Sequence, residues 1–234
     1  MDNKEVSKAK RIFIFVSTII LGFVLFVIPN LFFGISKVNG GLSGVNLLAI
    51  AVFQFITVCT LIYFSLKTLG KDFLYIGLSA KKWKRDFIIG LFAALALVTL
   101  QFGIIIPNTG GAERPDVKEV VQQLDGTAFG LMSLIFLGVV GGGITEEIYN
   151  RGYFINVLKG VFNNQSTGLW VASVLSILFF AAGHLPSNSI EWIDILISTI
   201  TFTLLFLLTK RLTASIVAHG VWNMTAILLV NYLY

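Results

Sequence analysis

Groups that carry chemistry are scarce in this chain. Of its 234 residues only 12% are charged, where a soluble domain has about a quarter. There is one cysteine, Cys59. It cannot close an internal disulfide, and it rules out C-x-x-C redox motifs and cysteine-based zinc sites. There are two histidines, and the His-Glu-x-x-His signature of zinc peptidases is absent. The chain shows no internal repeat, no low-complexity tract and no long polar segment fit for a soluble domain. A net charge of +5 does not indicate nucleic acid here, because Lys and Arg in membrane proteins report topology.

What is abundant is apolar surface. The chain is 56% hydrophobic, with a mean hydropathy of +0.87. Seven apolar runs approach the roughly 20 residues a membrane-spanning helix needs. They lie at about 12–35, 45–66, 87–106, 127–151, 169–185, 190–208 and 212–233. The expected fold is all-α, a polytopic membrane helical bundle of about seven transmembrane helices, with six to eight as the range. Residues 1–11 form a polar basic tail, 12–234 the membrane domain. The first run is too long for a signal-peptide core and no cleavage site follows, so it is expected to be retained. The polar stretch 108–126 is expected to hold a short surface helix near Val117–Leu124.

Orientation follows from the basic residues. With the N-terminus inside, all but Lys37, Arg114 and Lys118 of the 17 Lys and Arg fall on the cytoplasmic side. That asymmetry predicts N-in, C-out topology.

Within these runs a few polar residues stand out, since charge at membrane depth is costly and usually functional. Glu146, Glu147 and Arg151 follow three glycines, Gly141 to Gly143. Glu147 and Arg151 are i and i+4 and can pair on one face. Glu146 points elsewhere and is the candidate general base. A structural ion pair is the simpler alternative for such a trio. His184 shares a face with Phe180, and His219 with Asn223. Alone, each histidine could be an interhelical hydrogen-bonder; together with the three charges they suggest one site. For Glu146 and His184 to meet, the fourth helix must run on past Gly152 to about Val161 and turn at 163–168. The segment from Tyr153 to Phe162 is expected to be amphipathic and interfacial, and the site to lie in the inner half of the bilayer. The glycine triplet is expected to serve close helix packing, with a thinned wall for a substrate backbone as the alternative.

Glu146-Glu147-x-x-x-Arg151, Phe180-x-x-x-His184 and His219-x-x-x-Asn223, in that order on separate apolar helices, resemble the three motifs of the CPBP family. This family unites CAAX proteases and bacteriocin-processing enzymes, is also called Abi, and includes the type II CAAX prenyl endopeptidases. The resemblance spans about Gly138 to the C-terminus; a catalytic core is expected within 127–234. It implies an intramembrane endopeptidase in which Glu146 and His184 activate water, Glu147 and Arg151 support the site, and His219 and Asn223 stabilise the oxyanion. The expected partners are the lipid bilayer and a membrane-associated peptide or protein substrate. No cofactor is expected; the competing arrangement is a zinc held by Glu146, His184 and His219. A transporter is disfavoured by small size and lack of inverted repeats. A composition rich in Ile, Phe, Leu and Asn points to a bacterial cell membrane, where a role in bacteriocin self-immunity or peptide maturation fits better than prenylated substrates. The non-enzymatic alternative is a membrane scaffold or immunity protein that binds a peptide or partner helix.

Overall fold

A computed structural model describes residues 6–234. Lys4 and the rest of residues 1–5 of the expected basic tail lie outside the described residues. Seven helices are long and apolar enough to cross a membrane: α1 Lys8–Ser36, α2 Val45–Thr68, α3 Trp83–Asn108, α5 Ala128–Lys159, α6 Gln165–Gly183, α7 Ser189–Thr209 and α8 Thr213–Leu233. A short helix, α4 Pro115–Gln123, lies between α3 and α5. The chain is an all-helical integral membrane protein, and the described residues contain no strand.

Local chemistry sets the helix boundaries. Ser7 caps α1, Thr127 caps α5, and the side chains of Asn164 and Asn188 each accept two backbone N–H groups at the starts of α6 and α7. These satisfy donors that a helix start leaves orphaned. Pro115 opens α4 at its first position, where no N–H is needed. Pro29 sits inside α1 without ending it.

The fourth spanning helix does run on past Gly152. It continues to Lys159 as one 32-residue helix, and the turn into α6 falls between Lys159 and Gln165. One side of its last turns packs inside the bundle. Tyr153, Phe154, Ile155 and Val157 are all buried in the largest apolar cluster, against Phe15 and Ile19 of α1 and Leu66 of α2. Asn156 and Lys159, both partly exposed, lie on the remaining face. The Tyr75 hydroxyl adds a bond to the Asn156 carbonyl at 2.8 Å. Burial shifts that phenol's pKa upward.

Along much of its length α5 is wound wide. Hydrogen bonding is of the i→i+5 kind over Leu137–Glu146 and again over Ile148–Phe154. Thr145 Oγ1 donates to the Val140 carbonyl five residues back, at 2.7 Å. Such widened turns gather at functional sites. Three glycines inside the first wide stretch, Gly141 to Gly143, lower the helix propensity that would otherwise favour the tighter winding.

Helices α1 and α2 brace α5. A hydroxyl chain links Thr18 to Ser65 at 3.0 Å and Ser65 to the Tyr153 hydroxyl at 2.6 Å, and the Tyr149 hydroxyl donates to the Ile19 carbonyl. On the other flank α3 packs against α8. An added Cβ at Gly90 would come within 2.5 Å of the Ala214 carbonyl, so glycine is what permits that approach. Asp86 and Arg211 close the basic end of this pair with a two-pronged bond of 2.5 and 2.8 Å.

Candidate active site

Glu147 and Arg151 form the buried centre. Both side chains are fully buried, with Glu147 Oε1 3.0 Å from Arg151 Nη1. The i, i+4 spacing therefore delivers the expected pair. The same carboxylate oxygen lies 2.9 Å from His219 Nδ1, a link between α5 and α8 that helical spacing could not supply. Arg151 Nη2 donates to the hydroxyl and the carbonyl of Thr199 on α7, at 2.5 and 3.3 Å. Its guanidinium lies over the Phe180 ring, 4.3 Å from the centroid. Three helices are thus tied to α5 through two side chains.

His219 is held from three sides. Its ring stacks on Phe202 at 4.5 Å with a 17° interplanar angle, and meets Phe180 edge-on at 5.9 Å. With Nδ1 committed to Glu147, the free nitrogen is Nε2. Next to it, the Asn223 carboxamide donates to the Gly138 carbonyl at 2.7 Å, which fixes its plane and leaves a second amide hydrogen.

The glycine triplet shapes the floor of this region by close packing. A Cβ on Gly143 would lie 2.6 Å from Gly220 Cα, and one on Gly142 would lie 2.4 Å from Asn223 Nδ2 and 3.6 Å from His219 Nε2. A Cβ on Gly141 would meet Leu137 and the Gln54 amide oxygen at 2.9 and 3.0 Å. No second side chain fits between α5 and α8 here.

His184 lies at the end of α6, not inside it. The helix ends at Gly183, Leu185 takes a left-handed φ of 51°, and Pro186 follows. The histidine is exposed. Its Nδ1 is 2.9 Å from the Phe180 carbonyl. A carbonyl only accepts, so Nδ1 carries the hydrogen and the neutral ring presents a lone pair at Nε2. Glu146 is half-buried, and its buried Oε2 has no hydrogen-bond partner.

Glu146, His184, His219 and Asn223 all line one cavity of about 470 Å³. Glu146 and His184 also share a smaller aromatic crevice of about 70 Å³ with Phe23 and Phe26 of α1. Glu147 and Arg151 line neither; they stand behind the front row. The six residues singled out in the sequence thus divide into four that face open space and two that hold them. Among the described residues no three His, Cys, Asp or Glu side chains converge as metal ligands.

Several supporting residues were not visible in the sequence. Thr199 and Phe202 hold Arg151 and His219 from α7. Gln101 on α3 accepts from the Trp222 indole N–H at 2.5 Å and donates to Ser198 at 3.2 Å. Arg114, in the loop before α4, reaches Asp194 on α7 at 2.5 Å. The advance signals were Trp222 beside Asn223 and the place of Arg114 on the side away from most basic residues.

Residues 128–225, from the start of α5 to Thr225 on α8, match the family model described as type II CAAX prenyl endopeptidase Rce1-like. All six residues above fall within that span. Comparison with curated proteins and with solved structures gave no match.

Proposed function

We propose that this chain, with its Rce1-like endopeptidase segment at 128–225, is an intramembrane endopeptidase that cleaves a membrane-associated peptide or protein by activating water without a metal. One observation carries the reading. Four polar side chains from three helices line the same cavity, and the two needed to activate water, the Glu146 carboxylate and His184 Nε2, are engaged by no protein donor.

A water held between these two acceptors loses a proton to Glu146 as its oxygen attacks the scissile carbonyl carbon. The carbonyl oxygen gains the charge, and His219 Nε2 and the free amide hydrogen of Asn223 are the donors placed for it. With Nδ1–H committed to Glu147, His219 has a donor at Nε2 only as an imidazolium. The Glu147 carboxylate is its counter-charge, as the third member of a catalytic triad is for its histidine. Collapse of the intermediate breaks the C–N bond, and the proton taken from water passes from Glu146 to the leaving amine. Arg151, 3.0 Å from Glu147, holds that carboxylate in place.

The physiological setting that suits this chemistry is a bacterial membrane in which a leader, a pheromone precursor or an incoming bacteriocin is cut. The test is a peptide-cleavage assay on protein reconstituted in lipid nanodiscs, with substrates found by comparing the membrane peptides of cells carrying wild type or Glu146→Gln. Glu146→Gln and His184→Ala are expected to lower kcat by at least about 100-fold while remaining folded. Full cleavage by either variant would remove the assignment, and would favour a non-catalytic peptide-binding scaffold.

A further inference from the structure

The Asp, Glu, Lys and Arg side chains that line the cavity carry one sign of charge. Five carboxylates line it: Asp116 and Glu119 from α4, Glu146 from α5, and Glu191 and Asp194 from α7. Among the described residues no Lys or Arg lines it. A single guanidinium, Arg114, stands behind Asp116 and Asp194, at 2.7 and 2.5 Å. It can neutralise only one of the two. Glu191 is 7% exposed and is held only by neutral donors, the Ser187 amide and hydroxyl and the Asn188 amide. Its charge is fixed in place without being cancelled. Glu119 is exposed at the rim.

Asp194 gives an independent indication that something is to be received. It is 8% exposed, it lines the cavity, and its buried Oδ1 has no hydrogen-bond partner. A buried acceptor left unpaired costs about 1–3 kcal/mol, a cost relieved when a donor arrives. These carboxylates do not converge as metal ligands. They are spread along α4 and α7, a layout that suits the end of a long, flexible cationic side chain.

The position of the cavity supplies the direction of approach. It is built from the C-terminal parts of α3, α6 and α8, the N-terminal half of α7 and the stretch of α5 from Leu134 to Glu146. Lys84 and Arg85 at the start of α3, Lys159 at the end of α5, and Lys210 and Arg211 between α7 and α8 occupy the opposite ends of those helices.

We propose that the cavity receives a Lys- or Arg-bearing segment of the substrate beside the scissile bond, between Glu119 of α4 and Glu191 and Asp194 of α7, entering from the end of the bundle opposite the basic clusters. This rests on the endopeptidase reading above and adds the class of substrate. Low-dielectric walls lined by one sign of charge concentrate counter-charged ligands, and α4 is the element that brings Glu119 over the reacting groups.

The experiment uses the full chain in nanodiscs and two fluorescent peptides that differ only in Lys against Gln next to the cleavage position. The ratio of kcat/KM, Lys over Gln, is expected to be about tenfold at low salt and to shrink as salt screens the charges. Glu119→Lys and Glu191→Gln are each expected to reduce that ratio several-fold through KM. Glu119 is at the rim, so its variant is not compromised by folding. The same two peptides are then bound to Glu146→Gln protein and followed by fluorescence anisotropy. Tighter binding of the Lys peptide supports the charge-selective cavity whether or not cleavage is seen. Equal binding and equal turnover overturn it. Preferential binding with no cleavage by the wild type overturns the endopeptidase reading alone.

Discussion

Two buried arginines, Arg151 and Arg114, look alike in a table of burial and differ in everything that surrounds them. Arg114 is saturated. Its Nε and Nη2 grip Asp116 in a fork at 2.9 and 2.7 Å, Nη2 also meets Asp194, and Nη1 donates to Thr109 at 2.8 Å. The bond to Asp116, and after it the one to Asp194, holds its guanidinium charged well above the ordinary value. Arg151 is short of partners. Its Nε has no acceptor, its Nη1 faces Glu147 without a well-aligned bond, and Glu147 Oε2 is equally alone. Breaking a buried pair is costly, yet the pair itself gains little over well-packed apolar residues. A saturated arginine is sufficiently explained as a fastener, here of α4 to α7. An undersupplied one is better explained by chemistry, because stability alone would not retain it.

The largest expected effect comes from removing the undersupplied member. Arg151→Met leaves Glu147 buried without its cation; about 3–5 kcal/mol of stability is expected to go, with peptide cleavage falling at least about 100-fold. Thermal unfolding in detergent and the nanodisc assay check both. A lowered unfolding temperature with cleavage intact would make Arg151 a fastener and reverse the comparison. Arg114→Gln comes next. It leaves Asp116 and Asp194 facing each other, so amide hydrogen exchange across Pro115–Gln123 is expected to accelerate, with a much smaller loss of kcat than in Arg151→Met. Unchanged exchange in α4 would mean that the arginine does not hold it. Gly142→Ala sharpens the same boundary without touching a charge. The added methyl pushes Asn223 off its bond to Gly138, and kcat is expected to drop about tenfold with little change in unfolding temperature.

The smallest effect concerns the start of α5. Asp125 accepts the hydroxyl and the amide of Thr127, at 2.7 and 2.9 Å, and these bonds hold its carboxyl below the usual range. A depressed carboxylate stabilises above its unfolded pKa of about 4 and loses that contribution as pH falls through its folded value. Asp125→Asn should therefore lower the unfolding temperature slightly at pH 7 and not at all near pH 2. A difference that persists in acid would assign the effect to packing.

What could be foreseen in the sequence was what repeats along one helix. The apolar runs marked all seven spans, Glu147 and Arg151 declared their pairing by spacing, and the need for Glu146 and His184 to meet required α5 to pass Gly152. What could not be foreseen depends on how helices are rotated against each other. The contact of Glu147 with His219 joins residues 72 positions apart, and that of Arg114 with Asp194 joins residues 80 apart. The burial of Tyr153, Phe154, Ile155 and Val157 depends in the same way on α1 and α2, which cover that face. The first two spans look like generic membrane helices in the sequence, yet Thr18 and Ser65 supply the hydroxyls that anchor Tyr153.

The contact between Gly143 and Gly220 has a consequence for how such a protein can diversify. Two backbones in contact are the thinnest spacer a pair of helices can have, and this spacer sets the distance between the carboxylates on α5 and the donors on α8. It cannot be trimmed, and the smallest possible insertion is one methyl on each side. The gap across the reacting atoms is therefore locked to a single setting, while the loop that carries α4 bears no such restriction. On the endopeptidase reading proposed above, change in what is cut is free to accumulate in α4; change in how it is cut is not.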